Sequence, residues 1–88
     1  MLKYHAAYYR QDNGWLVVSV LDFPGVNSQG RSIRAARAMI KDALALMAEC
    51  YLEEGRPLPT PNAKARDKEA EFQEEIALIV RAKAPAER

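Results

Sequence analysis

A disulfide framework is missing from this chain, because Cys50 is its single cysteine. Histidine is just as scarce: His5 stands alone, with no second histidine, no zinc-type spacing and no nucleophile motif beside it, so it reads as a strand residue of ordinary structural role. No apolar run approaches the roughly eighteen residues of a membrane span, and the N-terminus lacks the basic-then-apolar layout of a secretory signal. A charge bias is missing too. Thirteen basic and twelve acidic residues leave a net charge of +1, which gives no general pull toward nucleic acid or anionic lipid. Repeats and low-complexity segments are absent. The sequence therefore predicts one soluble, cytoplasmic domain over residues 1–88. At this size folding buries about 60–65% of the unfolded chain's surface, and stability is about 5–10 kcal/mol unless copies associate.

What is present is organised around the stretch from Ser32 to Gly55. Ser32 suits an N-cap, Gly55 suits the residue just past a helix end, and Pro57 blocks continuation. Between them Ile33, Ala36, Met39, Ile40, Ala43, Leu44, Met47, Cys50 and Tyr51 recur at steps of three and four, which predicts one buried helical stripe. On that stripe Cys50 reads as a small core residue.

Before the helix, Leu2 to Arg10 alternates as a strand, with Leu2, Tyr4, Ala6 and Tyr8 on one face. Asn13-Gly14 predicts a two-residue type I′ hairpin turn, and Trp15 to Leu21 a second strand whose two apolar faces suit a central position. Phe23-Pro24-Gly25-Val26 has the residues of a type II turn, so a corner is expected, followed by a short strand around Val26–Gln29. After the helix, three prolines between Gly55 and Pro61 make a stiff extended connector. The polar residues 62–75 read as a solvated helix or helical loop, residues 76–82 as a last strand, and 83–88 as a tail. Helical spacing of Ala65, Phe72, Ile76, Ile79 and Lys83 leaves a helix open for the last segment. The order β-β-β-α-β predicts an α+β domain, a small, mostly antiparallel sheet with one long helix packed on one face. A last strand parallel to the third would need a right-handed crossover.

An N-terminal hairpin, the corner Asp22-Phe23-Pro24-Gly25, a short polar strand ending in Gly30, a serine-capped alanine-rich helix and the connector Gly55-Arg56-Pro57-Leu58-Pro59-Thr60-Pro61 occur in that order. Over residues 4–61 this arrangement resembles the HicB family, the antitoxin half of a bacterial toxin–antitoxin pair. The resemblance implies a partial RNase-H-like sheet that neutralises a small basic RNA-cleaving toxin, HicA, by binding it. Family members commonly carry a further ribbon-helix-helix or helix-turn-helix module that binds DNA. Here the residues after the connector are too few for a second core, so the resemblance does not extend DNA binding to this chain.

A two-metal nuclease site needs carboxylates converging from the first strand, the helix and the last strand. Leu2–Arg10 and Ile76–Ala82 contain no acid, and Asp42 and Glu49 sit off the buried stripe, so neither an enzyme nor a metal or cofactor site is expected. Trp15, Tyr4, Tyr8 and Tyr9 read as core or intersubunit packing rather than as base-stacking platforms. On the helix's outer side, Arg34, Arg37 and Lys41 follow Arg31, whereas Asp42, Glu49, Glu53 and Glu54 lie toward the other edge and end. This gradient opposes the helix macrodipole, so either a partner compensates it, or Glu71, Glu74, Glu75 and solvent do. Asp22, Phe23 and Pro24 at the corner, with Glu53 and Glu54, are the expected contacts to a basic toxin. Two other readings stand beside this one. In the first, the chain is a free-standing homo-oligomeric structural domain; Leu46 and Leu52, off the core stripe, point to a second buried contact, with the tail or with another copy. In the second it is a nucleic-acid binder using Arg31, Arg34, Arg37 and Lys41.

Overall fold

The computed structural model describes residues 1–80 and contains β1 (Lys3–Arg10), β2 (Leu16–Val20), β3 (Asn27–Gly30), α1 (Ile33–Glu53) and β4 (Phe72–Ala77), the α+β order expected from the sequence. The four strands form one sheet in the order β3-β2-β1-β4, with antiparallel pairing throughout. Alternation along β1 turns Tyr4, Ala6 and Tyr8 toward the helix, and all three are fully buried. Leu16, Val18 and Val20 of β2 join them, together with Phe23, Val26, Ile40, Leu44 and Ile76. Burying a side chain such as Ile40 or Leu44 contributes about 1.5–3 kcal/mol. Among the described residues no helix is long and apolar enough to cross a membrane.

The β1–β2 turn differs from the type I′ expectation. Gly14 has φ +90°, but among the described residues no non-glycine has positive φ, so Asn13 does not adopt the conformation that a type I′ turn requires. The Gly14 N–H donates to the Gln11 carbonyl at 2.9 Å and the Gln11 N–H to the Trp15 carbonyl at 2.8 Å, which makes a longer loop with Gly14 alone left-handed. The Asn13 side chain accepts from the Trp15 N–H instead, a local bond that holds it in the ordinary region. The corner is as expected: Gly25 has φ +89° and the Val26 N–H donates to the Phe23 carbonyl.

Helix α1 is capped as its sequence indicates. The Ala35 N–H donates to Ser32 Oγ at 3.0 Å. At the other end the Arg56 N–H reaches the Tyr51 carbonyl and the Gly55 N–H the Leu52 carbonyl, the paired closure of a Schellman motif. The buried stripe is narrower than its periodicity and shifted. Ala36, Ile40, Leu44, Ala45 and Ala48 are buried, while Ile33 and Met39 are exposed. Cys50 is exposed as well, which corrects its reading as a core residue. The cause is how closely the helix sits on β3. A Cβ at Gly30 would lie 2.5 Å from the Ala36 amide nitrogen. Small residues therefore face the sheet, and the flank carrying Met39 and Cys50 overhangs its β3 edge.

The connector carries the chain around one end of the sheet, with Leu58 packed on the core and the Tyr4 hydroxyl donating to the Pro59 carbonyl at 2.6 Å. Residues 62–71 then form a strap of isolated turns across the sheet face opposite the helix, not the helical segment expected. Asn62 and Asp67 each accept from an N–H two residues on, and these local bonds compete with helix formation despite the Ala/Lys/Glu composition. Strand β4 begins at Phe72 and ends at Ala77, earlier than the expected 76–82. The strand reading holds over the helical one at Ile76 and Ala77. β4 is antiparallel to β1, and by the alternation of the sheet antiparallel to β3, so no parallel crossover occurs. The remainder of the expected strand, Arg81 and Ala82, and the tail 83–88 lie outside the described residues.

Candidate partner-binding surface

Two of the three corner residues point inward. The Asp22 side chain is only 3% exposed. Its Oδ1 accepts from the His5 backbone N–H at 2.8 Å, and its Oδ2 from His5 Nδ1–H at 2.7 Å and from the Asn62 N–H at 2.9 Å. Burial pushes this carboxyl up, but the Asn62 and His5 donors outweigh burial and hold it below the usual aspartate value. An ionised carboxylate can only accept, so the His5 Nδ1 carries the proton. Phe23 is fully buried, tilted against Tyr4 at 5.2 Å and edge-on to Tyr51 at 5.1 Å between ring centroids. Pro24 and Gly25 are the exposed part of the corner.

The contact between Phe23 and Tyr51 brings the corner beside the C-terminal end of α1. Glu53 and Glu54 are exposed there, and Glu54 pairs with Arg56 at 3.0 Å while the Arg56 guanidinium stacks 3.8 Å over the Tyr51 ring. Pro24, Glu53, Glu54 and the start of the connector thus share one end of the molecule.

The basic edge is largely engaged within the chain. Arg37 forks onto Glu74 of β4 at 2.8 and 3.0 Å, and Glu74 also accepts from the Tyr8 hydroxyl at 2.5 Å. Burial raises Glu74, but Arg37 and the Tyr8 hydroxyl lower it more, so it stays ionised; burial and the same carboxylate push the Tyr8 phenol up. Arg31 lies over the Trp15 ring at 5.0 Å. Arg34 and Lys41 are exposed. Of the two outcomes open for the reversed charge gradient, compensation by Glu74 is the one realised at Arg37.

On the opposite face the strap is fixed by side chains that sequence spacing does not reveal. The Tyr9 hydroxyl donates to Asp67 at 2.6 Å, and Gln73 bridges the Asp67 N–H and the Ala65 carbonyl. Burial and the Asp67 carboxylate push the Tyr9 phenol up to about 12. A shallow groove of about 230 Å³ runs beside the strap, lined by His5, Ala63, Arg66, Gln73, Glu74 and Glu75. His5 Nε2 lies 3.8 Å from Glu75, too far for a hydrogen bond. Among the described residues no three His, Cys, Asp or Glu side chains group in a way that could hold a metal ion. The His5–Asp22–Asn62 cluster escaped sequence reading because its members are seventeen and forty residues apart. Its only signal was an acid placed directly behind the apolar run of β2.

Comparison with known proteins places this architecture. A model of the HicB-like antitoxin of bacterial toxin–antitoxin systems matches residues 4–86. The chain belongs to the HicB-like antitoxin family. Among solved structures, the N-terminal domain of the Burkholderia pseudomallei antitoxin HicB is similar at 22% identity and a TM-score of 0.76, covering 90% of this chain and 100% of that one. The B. pseudomallei antitoxin HicB itself gives 20% identity and a TM-score of 0.73 over 97% of this chain and 76% of that one. A HicA3 and HicB3 toxin–antitoxin complex gives 20% identity and a TM-score of 0.67 over 86% and 96%. At these identities the likeness establishes the fold. No curated protein sequence matches the chain. The HicB-like fold gathers Pro24, Glu53 and Glu54 at one end, and turns Asp22 and Phe23 to holding that end together.

Proposed function

We propose that this chain neutralises a small, basic, RNA-cleaving toxin of the HicA type by binding it and covering its RNA-contacting surface. The family match over residues 4–86 carries the reading, and the likeness to a HicA3 and HicB3 complex supports it. The action is occlusion in the cytoplasm: no bond is made or broken, and no cofactor is needed. Contact is made by the end bearing Pro24, Glu53 and Glu54. There an exposed proline offers a rigid apolar tip, and the two acids face basic toxin surface. Asp22 and Phe23 act from behind by fixing the corner.

Co-expression with the small open reading frame beside this gene tests the proposal: growth inhibited by that frame alone is restored by this chain. Reversing Glu53 and Glu54 to lysine slows association with the purified toxin about tenfold at low salt, because exposed interface charges act mainly on the on-rate. Association by stopped flow that is unchanged by the double reversal removes this end from the contact.

A further inference from the structure

His5 and Glu75 stand directly opposite each other on β1 and β4. The Leu78 N–H donates to the Leu2 carbonyl, and pairing alternates from there, so no backbone hydrogen bond joins this pair. Opposed side chains of an antiparallel ladder come closest at such positions. Both project on the sheet face away from the helix, into the groove of about 230 Å³ beside the strap. Sequence spacing hides the pair, because its members lie near opposite ends of the chain.

The imidazole is held in one orientation. Asp22, itself fixed by the backbone N–H groups of His5 and Asn62, accepts from Nδ1–H at 2.7 Å. His5 is only 7% exposed, so its ring has little room to turn. In the neutral tautomer that the Asp22 bond selects, Nε2 is a lone pair turned to the groove, 3.8 Å from Glu75 Oε2. Two acceptors thus face each other across a gap too wide for a hydrogen bond.

A divalent transition-metal ion fits that gap. Bonds of about 2.0–2.2 Å to an imidazole nitrogen and a carboxylate oxygen span up to about 4.2 Å between the two ligand atoms, and about 3.4 Å at the tetrahedral angle. The Glu75 side chain is 61% exposed and is free to close the difference. An imidazole whose other N–H goes to a carboxylate is also the way metal-bound histidines are oriented and made more basic. Nitrogen with carboxylate suits zinc, whereas magnesium and calcium take all-oxygen sites. Two protein ligands leave the remaining positions to water, which the open groove admits. Arg66 lines the same groove and opposes a cation, so the affinity is modest.

We infer that His5 and Glu75 bind one zinc ion, with Asp22 as the positioning residue behind the imidazole. Bound there, the ion staples β4 to β1 and, through Asp22, stiffens the corner and the start of the strap. The inference does not rest on the toxin reading and leaves the Pro24–Glu53–Glu54 end open.

Calorimetric titration of the purified, tag-free chain with zinc chloride at neutral pH tests the site, together with proton–nitrogen correlation spectra of its single imidazole. One zinc per chain is expected, with a Kd of about 1–100 μM, weaker than a four-ligand structural site. The His5 Nε2 resonance shifts in step with binding. Zinc at about ten times Kd raises Tm by about 5–10 °C. Glu75→Gln removes a ligand from an exposed position and is expected to weaken binding about tenfold or more. Asp22→Asn weakens it about 10–100-fold in protein that circular dichroism shows to be folded. Cys50→Ser, which removes the exposed thiol, leaves it unchanged. Absence of saturable binding below about 1 mM overturns the inference. So does binding that Glu75→Gln leaves intact, which reduces the site to a lone histidine, or binding that Cys50→Ser abolishes.

Discussion

Asp22 shows how a residue can be singled out for one role and serve another. It is an acid at an exposed-looking corner, yet it accepts hydrogen bonds from β1 and from the strap and ties three distant segments together. Its folded-state pKa lies below the unfolded value, so the native chain binds fewer protons in that interval. The stabilisation is therefore complete above about pH 4 and is lost as pH falls through the folded-state value. Asp22→Asn is expected to destabilise at pH 7 by about 1.5–3 kcal/mol, the range for hydrogen bonds to a charged group. The gap to wild type should shrink in urea melts taken toward pH 3; a constant gap from pH 7 to pH 2.5 contradicts this assignment. Gly30 is the second residue whose role is spatial. Its backbone is ordinary, but a Cβ there would strike the Ala36 and Ala35 backbone at 2.5–2.8 Å, where no flexible side chain can yield. Gly30→Ala should cost about 1–3 kcal/mol of overpacking strain and lower Tm by roughly 5–15 °C. An unchanged melt would mean that the helix lifts off β3 freely.

At the scale of elements, local chemistry fixed what local chemistry could. Ser32 and the Gly55–Pro57 sequence set the ends of α1, and alternation set the inward face of β1. Misreadings came where tertiary contacts overrode propensity. Residues 62–71 have a helical composition, but Asn62 and Asp67 turn the backbone locally while Tyr9 and Gln73 hold it flat against the sheet. The boundary of β4 moved toward Phe72 for a related reason. Gln73, Glu74 and Glu75 read as solvated, but the first bridges the strap and the second is held by Arg37 and Tyr8. Cys50 and Met39 lie on the right periodicity for burial, and what exposes them is the lateral placement of the helix over β3, which one sequence does not encode locally. Tyr8→Phe isolates the Glu74 network. Removing its hydroxyl should destabilise by about 1–1.5 kcal/mol in denaturant melts, with the Arg37–Glu74 pair left in place. A neutral result would mean that Arg37 and water satisfy Glu74 alone.

At the scale of the molecule, the long helix across a small antiparallel sheet was readable from the chain, and so was the ordered set of corner, cap and proline connector that carried the family resemblance. Which of the candidate residues are exposed was readable only in part. Pro24, Glu53 and Glu54 face outward at one end as a contact surface requires, but Asp22 and Phe23 build that end from within, and Arg37 is spent on Glu74. On the proposed occlusion, the domain acts through what it covers. The most direct measurement is a titration of the purified chain against RNA cleavage by the purified small protein encoded beside it. Cleavage that falls in proportion to added chain and stops at a fixed stoichiometry, with no RNA degraded by the chain alone, is the expected result. Cleavage that persists at saturating concentrations of the chain would contradict the proposed occlusion.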